Sequence, residues 1–258
     1  MNPAAVQSSA TVGQCPASID AGIYERYAQT RPHRIVPRCA GDLLRGREST
    51  FRKRFAPLLP KARDARILDV GCGYGEFLYF LQRAGYRDTC GVDLDSAHIN
   101  VACDLGVGRV HRADAREFLR SSHEYDFISA IDVLEHFPKH EVIDLVECAR
   151  RALKPGGRFL CQVPNLAAFY APLFHMDFTH QTPFTASSLK QVLELAGFVN
   201  VRVFPMGPVA HGLRSTVRCL LWNAITTMLG AIQTIEGGPR GELGCIFTAA
   251  VGAVAERA

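Results

Sequence analysis

The sequence predicts an α/β protein built on a doubly wound, mostly parallel sheet of seven strands. Through the middle of its 258 residues, short apolar runs alternate with helical patterns across short links, an order typical of a parallel sheet covered on both faces. Apolar residues make up 48% of the chain and charged residues 21%, which suits a full core. The net charge of +4, without a dominant lysine–arginine block, does not favour nucleic acid as a partner.

The individual elements follow from periodicity and from the positions of glycine and proline. Lys154-Pro155-Gly156-Gly157 predicts a firm stop before the fifth strand. In chain order, the expected strands are 66–70, 89–92, 109–110, 125–131, 158–163, 198–204 and 244–255. The expected helices between them are 76–84, 96–105, 139–153 and 187–196.

We expect one disordered terminus and one domain. Residues 1–20 begin without the basic start and apolar core of a signal peptide, and we interpret them as disordered. Residues 21–258 then form a single domain, divided into N-terminal helices (21–64), core (65–206), helical insert or lid (207–242) and last strand (243–258).

The segment RILDVGCGYGE, residues 66–76, predicts a nucleoside site. An apolar strand leads into Gly71, Gly73 and Gly75, and a helical pattern begins at Glu76, an arrangement typical of a nucleotide-binding edge. A dinucleotide turn has its third glycine where Glu76 stands, and a carboxylate there opposes a pyrophosphate at the helix N-terminus. The expected ligand is therefore a nucleoside that has no phosphates and carries positive charge, and S-adenosylmethionine fits.

Three acidic residues follow the first three strands. Asp93, 22 residues after Gly71, can accept both ribose hydroxyls, because Asp95 is the expected cap of the next helix. The carboxylate of Asp114, or a neighbouring amide, can meet the adenine amino group; the alternative is that Asp114 caps a short helical turn. Asp69 can hold the glycine turn or contact the ammonium group through water.

Polar residues after strands four and five are expected near the ligand, in the same crevice as Gly71 and Asp93, because ligands bind at the carboxyl ends of strands in open α/β sheets. Asp132, Glu135 and His136 follow strand four, and His136 is a candidate base or a residue that shapes the loop. Methyl transfer to an alcohol requires a group that takes the proton, and we expect His180, oriented by Asp177, to be that base. We expect no metal, although His175, Asp177 and His180 also have a spacing that allows a metal site.

Two further features bear on partners and location. Residues 219–235 are uncharged and mostly apolar but fall short of the roughly 20 apolar residues that span a bilayer. We interpret them as a core or dimer helix, with contact at a membrane surface as the alternative. The nine cysteines are scattered without a C-x-x-C pair, as in a cytoplasmic protein with buried, reduced thiols, among them Cys103 and Cys245.

As a set, the segments ILDVGCGYGEF, GVDLD, ADAREFL, FISAIDVLEHF and LKPGGRFLCQVPN resemble the successive motifs of class I S-adenosylmethionine-dependent methyltransferases. The resemblance spans about 66–204 and implies a Rossmann-like sheet of strand order 3-2-1-4-5-7-6, with strand seven antiparallel. The cofactor residues expected along these motifs are Asp69, Gly71, Cys72, Gly73, Gly75, Glu76, Asp93, Leu94, Asp114, Ala115, Ile131 and Asp132.

The flanking segments LLRGRESTFRKRFAPLLP and MDFTHQTPFTASSLKQVLELAGF resemble methyltransferases of bacterial surface-polysaccharide loci. Members often carry Asp-Pro-Thr-His, where this chain has Asp177-Phe178-Thr179-His180. The resemblance implies O-methylation of a sugar hydroxyl on a surface glycan or its precursor. It makes Arg47 and Arg54 candidates for binding the methionine carboxylate of the cofactor or an anionic substrate, and we expect Arg47 to be a cofactor residue. The alternatives are a lipophilic phenol or quinone-like ring as acceptor, or a binding module without turnover. A homodimer and a peripheral membrane contact are both compatible with the sequence.

Overall fold

The computed structural model describes residues 36–238 and 241–258. The expected disordered terminus and the expected N-terminal helices before residue 36 lie outside the described residues.

Seven strands form one sheet in the order β3-β2-β1-β4-β5-β7-β6, which confirms the predicted topology. Strands β1 to β5 run parallel, and β7 lies antiparallel between β5 and β6. The strands are β1 (Arg66–Val70), β2 (Asp88–Asp93), β3 (Arg109–Arg112), β4 (Tyr125–Ile131), β5 (Leu153–Pro164), β6 (Phe198–Pro205) and β7 (Ala250–Arg257).

Helices connect the parallel strands and cover the sheet. The α-helices of the described residues are α1 (Glu48–Thr50), α2 (Glu76–Arg83), α3 (Ser96–Asp104), α4 (Ala115–Ser121), α5 (Lys139–Ala152), α6 (Pro172–His175), α7 (Ala186–Leu195), α8 (Leu213–Gly237) and α9 (Gly241–Gly244). A π-helical turn, Phe51–Phe55, and a 3₁₀ turn, Ala56–Leu58, continue α1, and further 3₁₀ turns lie at Ala40–Asp42 and Leu134–His136.

The core has one apolar layer on each face of the sheet. Because successive strand residues point to opposite faces, Ile67 and Phe127 enter one layer while Leu68 and Ile128 enter the other. All four side chains are fully buried. This arrangement leaves the carboxyl ends of the parallel strands at a common edge, where ligands bind in open α/β sheets.

Two predicted boundaries are wrong. The expected stop at 154–157 lies inside β5, because Tyr125 pairs with Leu153 and Phe127 with Arg158, so the intervening residues bulge out of the ladder. The last strand begins at Ala250 rather than near residue 244. The preceding segment is held differently, since the buried amide of Asn165 donates to the carbonyls of Ile246 and Thr248.

The segment before β1 and the insert before β7 meet each other. Phe51 packs against Phe55 and Phe77 on one face of the sheet, and the Lys53 ammonium donates to the carbonyl of Ala210. Cys103 and Cys245 are exposed, contrary to the expectation that they are buried.

The insert contains the long helix, α8. Only Ser215 of its residues is buried, so the interpretation of this helix as a core helix is wrong. In the described part of the chain, no helix combines the length and apolar character needed to cross a bilayer.

Candidate active site at the carboxyl edge of the sheet

The glycine turn after β1 is shaped by backbone geometry and by close approach. Gly71 has a φ of +64°, and a Cβ there would lie 2.4 Å from Cγ2 of Val133. Gly75 has a φ of +80° and is the N-cap of α2. The Cys72 amide donates to the Val92 carbonyl at 3.0 Å. Cys72 is buried, so only its backbone lies along the turn.

Asp93, at the end of β2, organises the turn beside it. The Gly73 amide donates to Oδ2 at 2.8 Å, the Asp95 amide donates to Oδ1 at 2.9 Å, and Nδ1 of the buried His98 lies 3.5 Å from Oδ1. Burial alone raises the pKa of Asp93, but the His98 imidazole and these two amides outweigh it, so the pKa is lowered. Asp95 caps α3 through the Ala97 amide, as expected. Leu94 between them is exposed.

Asp69 lies behind the turn, in the core. It is 3% exposed, and the Ser129 hydroxyl of β4 donates to Oδ1 at 2.7 Å. Burial raises the pKa of Asp69 to about 7, and the charges of Glu76 and Asp93 add to the increase, against the lowering effects of the Ser129 hydrogen bond and of Arg47. In the structure, the side chain of Asp69 therefore links β1 to β4 through its hydrogen bond with Ser129.

The carboxylate of Asp114 serves as a helix cap. It accepts from the amides of Arg116 and Glu117, at 2.8 and 3.2 Å, and pairs with the Arg116 guanidinium. Of the two alternatives, the structure thus shows the capping role for this side chain. Ala115 begins the capped helix α4 and is half-buried.

The end of β4 continues the same edge. Ile131 is half-buried, and Asp132 has a φ of +58°, a conformation uncommon outside glycine. The Gln162 amide group holds Asp132 by donating to Oδ1 at 2.7 Å. The guanidinium of Arg47 lies 3.8 Å from the other oxygen of Asp132, so the segment before β1 reaches the strand ends.

This edge fits a cationic nucleoside. Gly71 leaves no room for a side chain, which allows a ligand to approach the backbone closely. The carboxyl groups of Asp69, Glu76 and Asp93 lie close enough to raise the pKa of Asp69 electrostatically. A ligand with sulfonium and ammonium groups would offset this repulsion, whereas a pyrophosphate would increase it.

Hydrogen bonds join the residues after β4 to the loop after β5. The amides of Gln181 and Thr182 both donate to the Glu135 carbonyl, at 2.7 and 3.1 Å. The Gln181 side chain donates to the His136 carbonyl at 2.8 Å, and the Thr182 hydroxyl donates to the Phe137 carbonyl at 2.6 Å. These bonds bring His136 and His180 together, with ring centroids 4.7 Å apart.

The hydrogen bonds also fix the tautomers of the two imidazoles. Nδ1 of His180 faces the Phe174 carbonyl at 3.0 Å, and since a carbonyl only accepts, Nδ1 carries the proton. The Thr179 hydroxyl donates to Asp177 at 2.6 Å, so it accepts from Nδ1 of His136 at 2.9 Å. In each neutral ring, Nε2 is therefore the basic nitrogen.

His180 and Asp177, the expected pair, lie in charge contact without a direct hydrogen bond. Nε2 of His180 lies 4.0 Å from Asp177 and 3.9 Å from Glu135, both beyond hydrogen-bonding distance. The Phe174 carbonyl accepts from His180, and Asp177 also holds His136 through Thr179. The sequence places Glu135 near the ligand without giving it a role, and the contact with His180 is a tertiary one that no local pattern signals.

Glu135, His136 and His180 each offer a ligand atom, and these atoms lie within 4.8 Å of one another. Two imidazoles and one carboxylate suit a divalent transition metal, and hydrogen bonds to the other ring nitrogens are the usual support for such ligands. The group differs from the predicted alternative, since His175 and Asp177 are replaced by His136 and Glu135. Without a metal ion, Nε2 of either imidazole can instead accept a proton.

Two solved structures that share the fold carry methyltransferase names. An S-adenosylmethionine-dependent methyltransferase from Archaeoglobus fulgidus aligns with a TM-score of 0.59 at 22% identity, covering 81% of this chain and 92% of that one. A possible histamine N-methyltransferase from Thermotoga maritima aligns with a TM-score of 0.61 at 16% identity, covering 92% and 99%. These likenesses confirm the fold.

Curated relatives include ubiquinone biosynthesis O-methyltransferases. The protein of that name from Xylella fastidiosa strain 9a5c is 37% identical over 113 residues, which are 41% of this chain and 45% of the relative. One from Pectobacterium carotovorum is 28% identical over 139 residues, 52% of each protein. The chain spans about half the length of the curated relatives it matches.

The family model described as a methyltransferase domain matches residues 24–203, well over half of the chain. The match confirms the expected class of enzyme and its cofactor, S-adenosylmethionine. It includes the glycine turn, Asp93, the β4 end and the loop that carries His180. The chain therefore belongs to the methyltransferase-domain family.

Proposed function

We propose that this methyltransferase transfers the methyl group to an oxygen atom, with His180 as the base. The observation that carries the proposal is the tautomer of His180, whose Nδ1 proton is held by the Phe174 carbonyl so that Nε2 is basic. S-adenosylmethionine supplies the electrophilic methyl group when bound. An attacking hydroxyl must lose its proton in the transition state, and Nε2 of His180 can take it.

The neighbouring residues position this base. His180 is 6% exposed and Glu135 is 1% exposed, so the group sits where water is largely excluded. The carboxylate of Glu135, 3.9 Å from Nε2 of His180, stabilises the imidazolium that forms when the proton arrives. Asp177, through Thr179, holds His136 against the ring of His180. Alignment of the acceptor beside this group would supply much of the rate.

For the acceptor, we favour a phenolic or quinone-like ring. The curated relatives are named for ubiquinone biosynthesis, and the Phe174 ring lies 5.6 Å from that of His180. The same loop exposes Phe169, Tyr170 and Phe178. Aromatic side chains at a binding surface favour a planar apolar ligand over a hydrated sugar.

A sugar hydroxyl on an anionic precursor is the second candidate acceptor. A cavity of about 730 Å³ is lined by neighbours of Arg47 in the chain, including Arg45 and Glu48, and by Arg83, Arg218 and Trp222. Arginines suit a phosphate-bearing group. The flanking sequences favour a surface glycan, and that assignment stays a prediction, as do the cytoplasmic location and the lack of a nucleic-acid partner.

Replacing His180 by Ala tests the proposed base. We expect turnover to fall about 10²–10⁴-fold, as for loss of a general base, while cofactor affinity stays nearly unchanged. The measurement is transfer of labelled methyl groups from S-adenosylmethionine to a panel of catechols, nucleotide sugars and fractions of a cell extract. His175→Ala, an exposed histidine on the same loop, is the matched control. Turnover that survives in His180→Ala across the pH range would exclude His180 as the base.

The same assay separates a base from a metal ligand. If His180 acts only as a base, treatment with EDTA leaves the wild-type rate unchanged. If Glu135, His136 and His180 bind a divalent metal, EDTA abolishes turnover and addition of Mg²⁺, Mn²⁺ or Zn²⁺ restores it. In that case His136→Ala weakens metal binding as much as His180→Ala does.

A further inference from the structure

The long helix, Leu213–Gly237, presents its apolar side away from the protein. Its 25 residues extend about 37 Å, and Ser215 alone among them is buried. Leu213 is 83% exposed and Ile235 is 86% exposed. Other large apolar side chains of the helix are also exposed, namely Val217, Leu220, Leu221, Ile225, Met228 and Ile232.

The inward side of this helix is mixed in character, since the half-buried Trp222 and Leu229 lie there with the buried Ser215 and several small or polar residues. Ser215 donates to the Gly212 carbonyl at 2.8 Å and accepts from the His211 amide at 2.7 Å. The Trp222 indole lies against Gly207, and Gly230 lies near the Cys245 sulfur. Helices usually bury their large apolar side chains, so the many exposed ones on the outer face indicate that this face meets a partner.

Seven exposed positions of the outer face form a continuous stripe, which we call the outer stripe, and Leu221, Ile225 and Ile232 lie along its flank. Its positions are spaced by four, three, four, four, three and four residues, so they lie on one side of a nearly straight helix. The members of the outer stripe are Leu213, Val217, Leu220, Ala224, Met228, Ala231 and Ile235. This spacing reads the same in both directions from Ala224.

A stripe with this symmetry matches a second copy of itself running antiparallel. A twofold axis at Ala224 would set Leu213 opposite Ile235, Val217 opposite Ala231, and Leu220 opposite Met228. Leu213 with Ile235 and Leu220 with Met228 are pairs of large apolar side chains. Val217 faces the small Ala231, and the two Ala224 residues permit close approach of the helices at the axis. Isologous packing of this kind is the commonest way in which identical chains associate.

The charges at the helix ends agree with antiparallel pairing. Arg214 and Arg218 lie near the N-terminal end and Glu236 lies at the other, with no charged residue in 219–235. Antiparallel packing brings the basic end of one helix to the acidic end of the other. A helix that binds at a membrane surface usually carries lysine and arginine along its polar side, whereas the inward side here is uncharged between these ends.

We propose that two copies of this chain form a dimer by antiparallel packing of their long helices through the outer stripe. Sedimentation equilibrium of the full chain at micromolar concentration should give twice the mass of the 28.3 kDa monomer. Ala224→Glu should give a monomer with an unchanged circular dichroism spectrum, since residue 224 is exposed in one chain. Asn223→Glu, next to it but off the outer stripe, should remain dimeric.

The twofold register has its own test. Because residue 224 faces its own copy, Ala224→Glu and Ala224→Lys should each be monomeric alone and should form a mixed dimer when combined. A monomeric wild type overturns the proposal, and so does a dimer that persists in Ala224→Glu. If the wild type is monomeric and floats with vesicles of phosphatidylethanolamine and phosphatidylglycerol, the outer stripe binds a membrane instead.

Discussion

At the scale of single residues, two carboxyl groups at adjacent strand ends have opposite environments. Asp93 accepts from two backbone amides beside an imidazole, and its pKa is lowered. Asp69 has one strong donor, Ser129, in a buried position, and its pKa is raised to about 7. The sequence shows that an acid stands near each strand end. It does not reveal which acid is buried, because that depends on neighbours from other strands.

The raised pKa of Asp69 predicts a pH-dependent stability. Below about pH 4 the Asp69 carboxyl is protonated in both the folded and the unfolded protein. Between its ordinary pKa of 3.8 and its folded-state pKa of about 7, only the folded protein keeps the proton. Stability contributed by this group is therefore lost as the pH rises, by on the order of 4 kcal/mol above pH 7.

Asp69→Asn removes this titration while its amide oxygen still accepts from Ser129. Urea unfolding of the cofactor-free protein should show the variant gaining stability relative to wild type between pH 4.5 and pH 8. A difference in unfolding free energy that stays constant across this range would mean that Asp69 is ionised in the folded state.

At the scale of elements, the strand–turn–helix unit could be predicted closely. The bounds of β1 and β4 agree with the sequence, because apolar runs and glycines give strong local signals. The bulge at the start of β5 and the junction of Glu135 with Gln181 could not be predicted. Both depend on pairing between distant segments, and neither leaves a local pattern.

The geometry of the glycine turn predicts that adding a single methyl group at Gly71 lowers the free energy of unfolding. Gly71→Ala combines a left-handed backbone with a 2.4 Å approach to Val133, so we expect a loss of about 3 kcal/mol in unfolding free energy. Gly85→Ala is the matched control, because Gly85 has a φ of +92° but nothing within 4 Å, and it should lose only about 1 kcal/mol. Equal losses in urea unfolding would show that close packing at Gly71 is unimportant. Val133→Ala should recover part of the loss in Gly71→Ala.

At the scale of the whole molecule, the carboxyl edge of one sheet brings together two groups of residues, one proposed for the cofactor and one for the acceptor. We propose that the β1 and β2 ends, with Gly71 and Asp93, hold the cofactor. We propose that the segments after β4 and β5, with His136 and His180, form the acceptor side. Topology predicts that both lie at this edge. The hydrogen bonds that set the tautomers on the acceptor side emerge only from the folded chain.

This division is tested most directly by calorimetric titration of S-adenosylmethionine into the wild type, Asp93→Ala and His180→Ala. We predict at least about tenfold weaker binding in Asp93→Ala, since a charged acceptor of hydrogen bonds is lost, and near wild-type affinity in His180→Ala. Asp88→Ala, at the other end of β2, is the control for damage to the strand and should bind normally. Unchanged affinity in Asp93→Ala, or affinity lost equally in His180→Ala, would contradict the account.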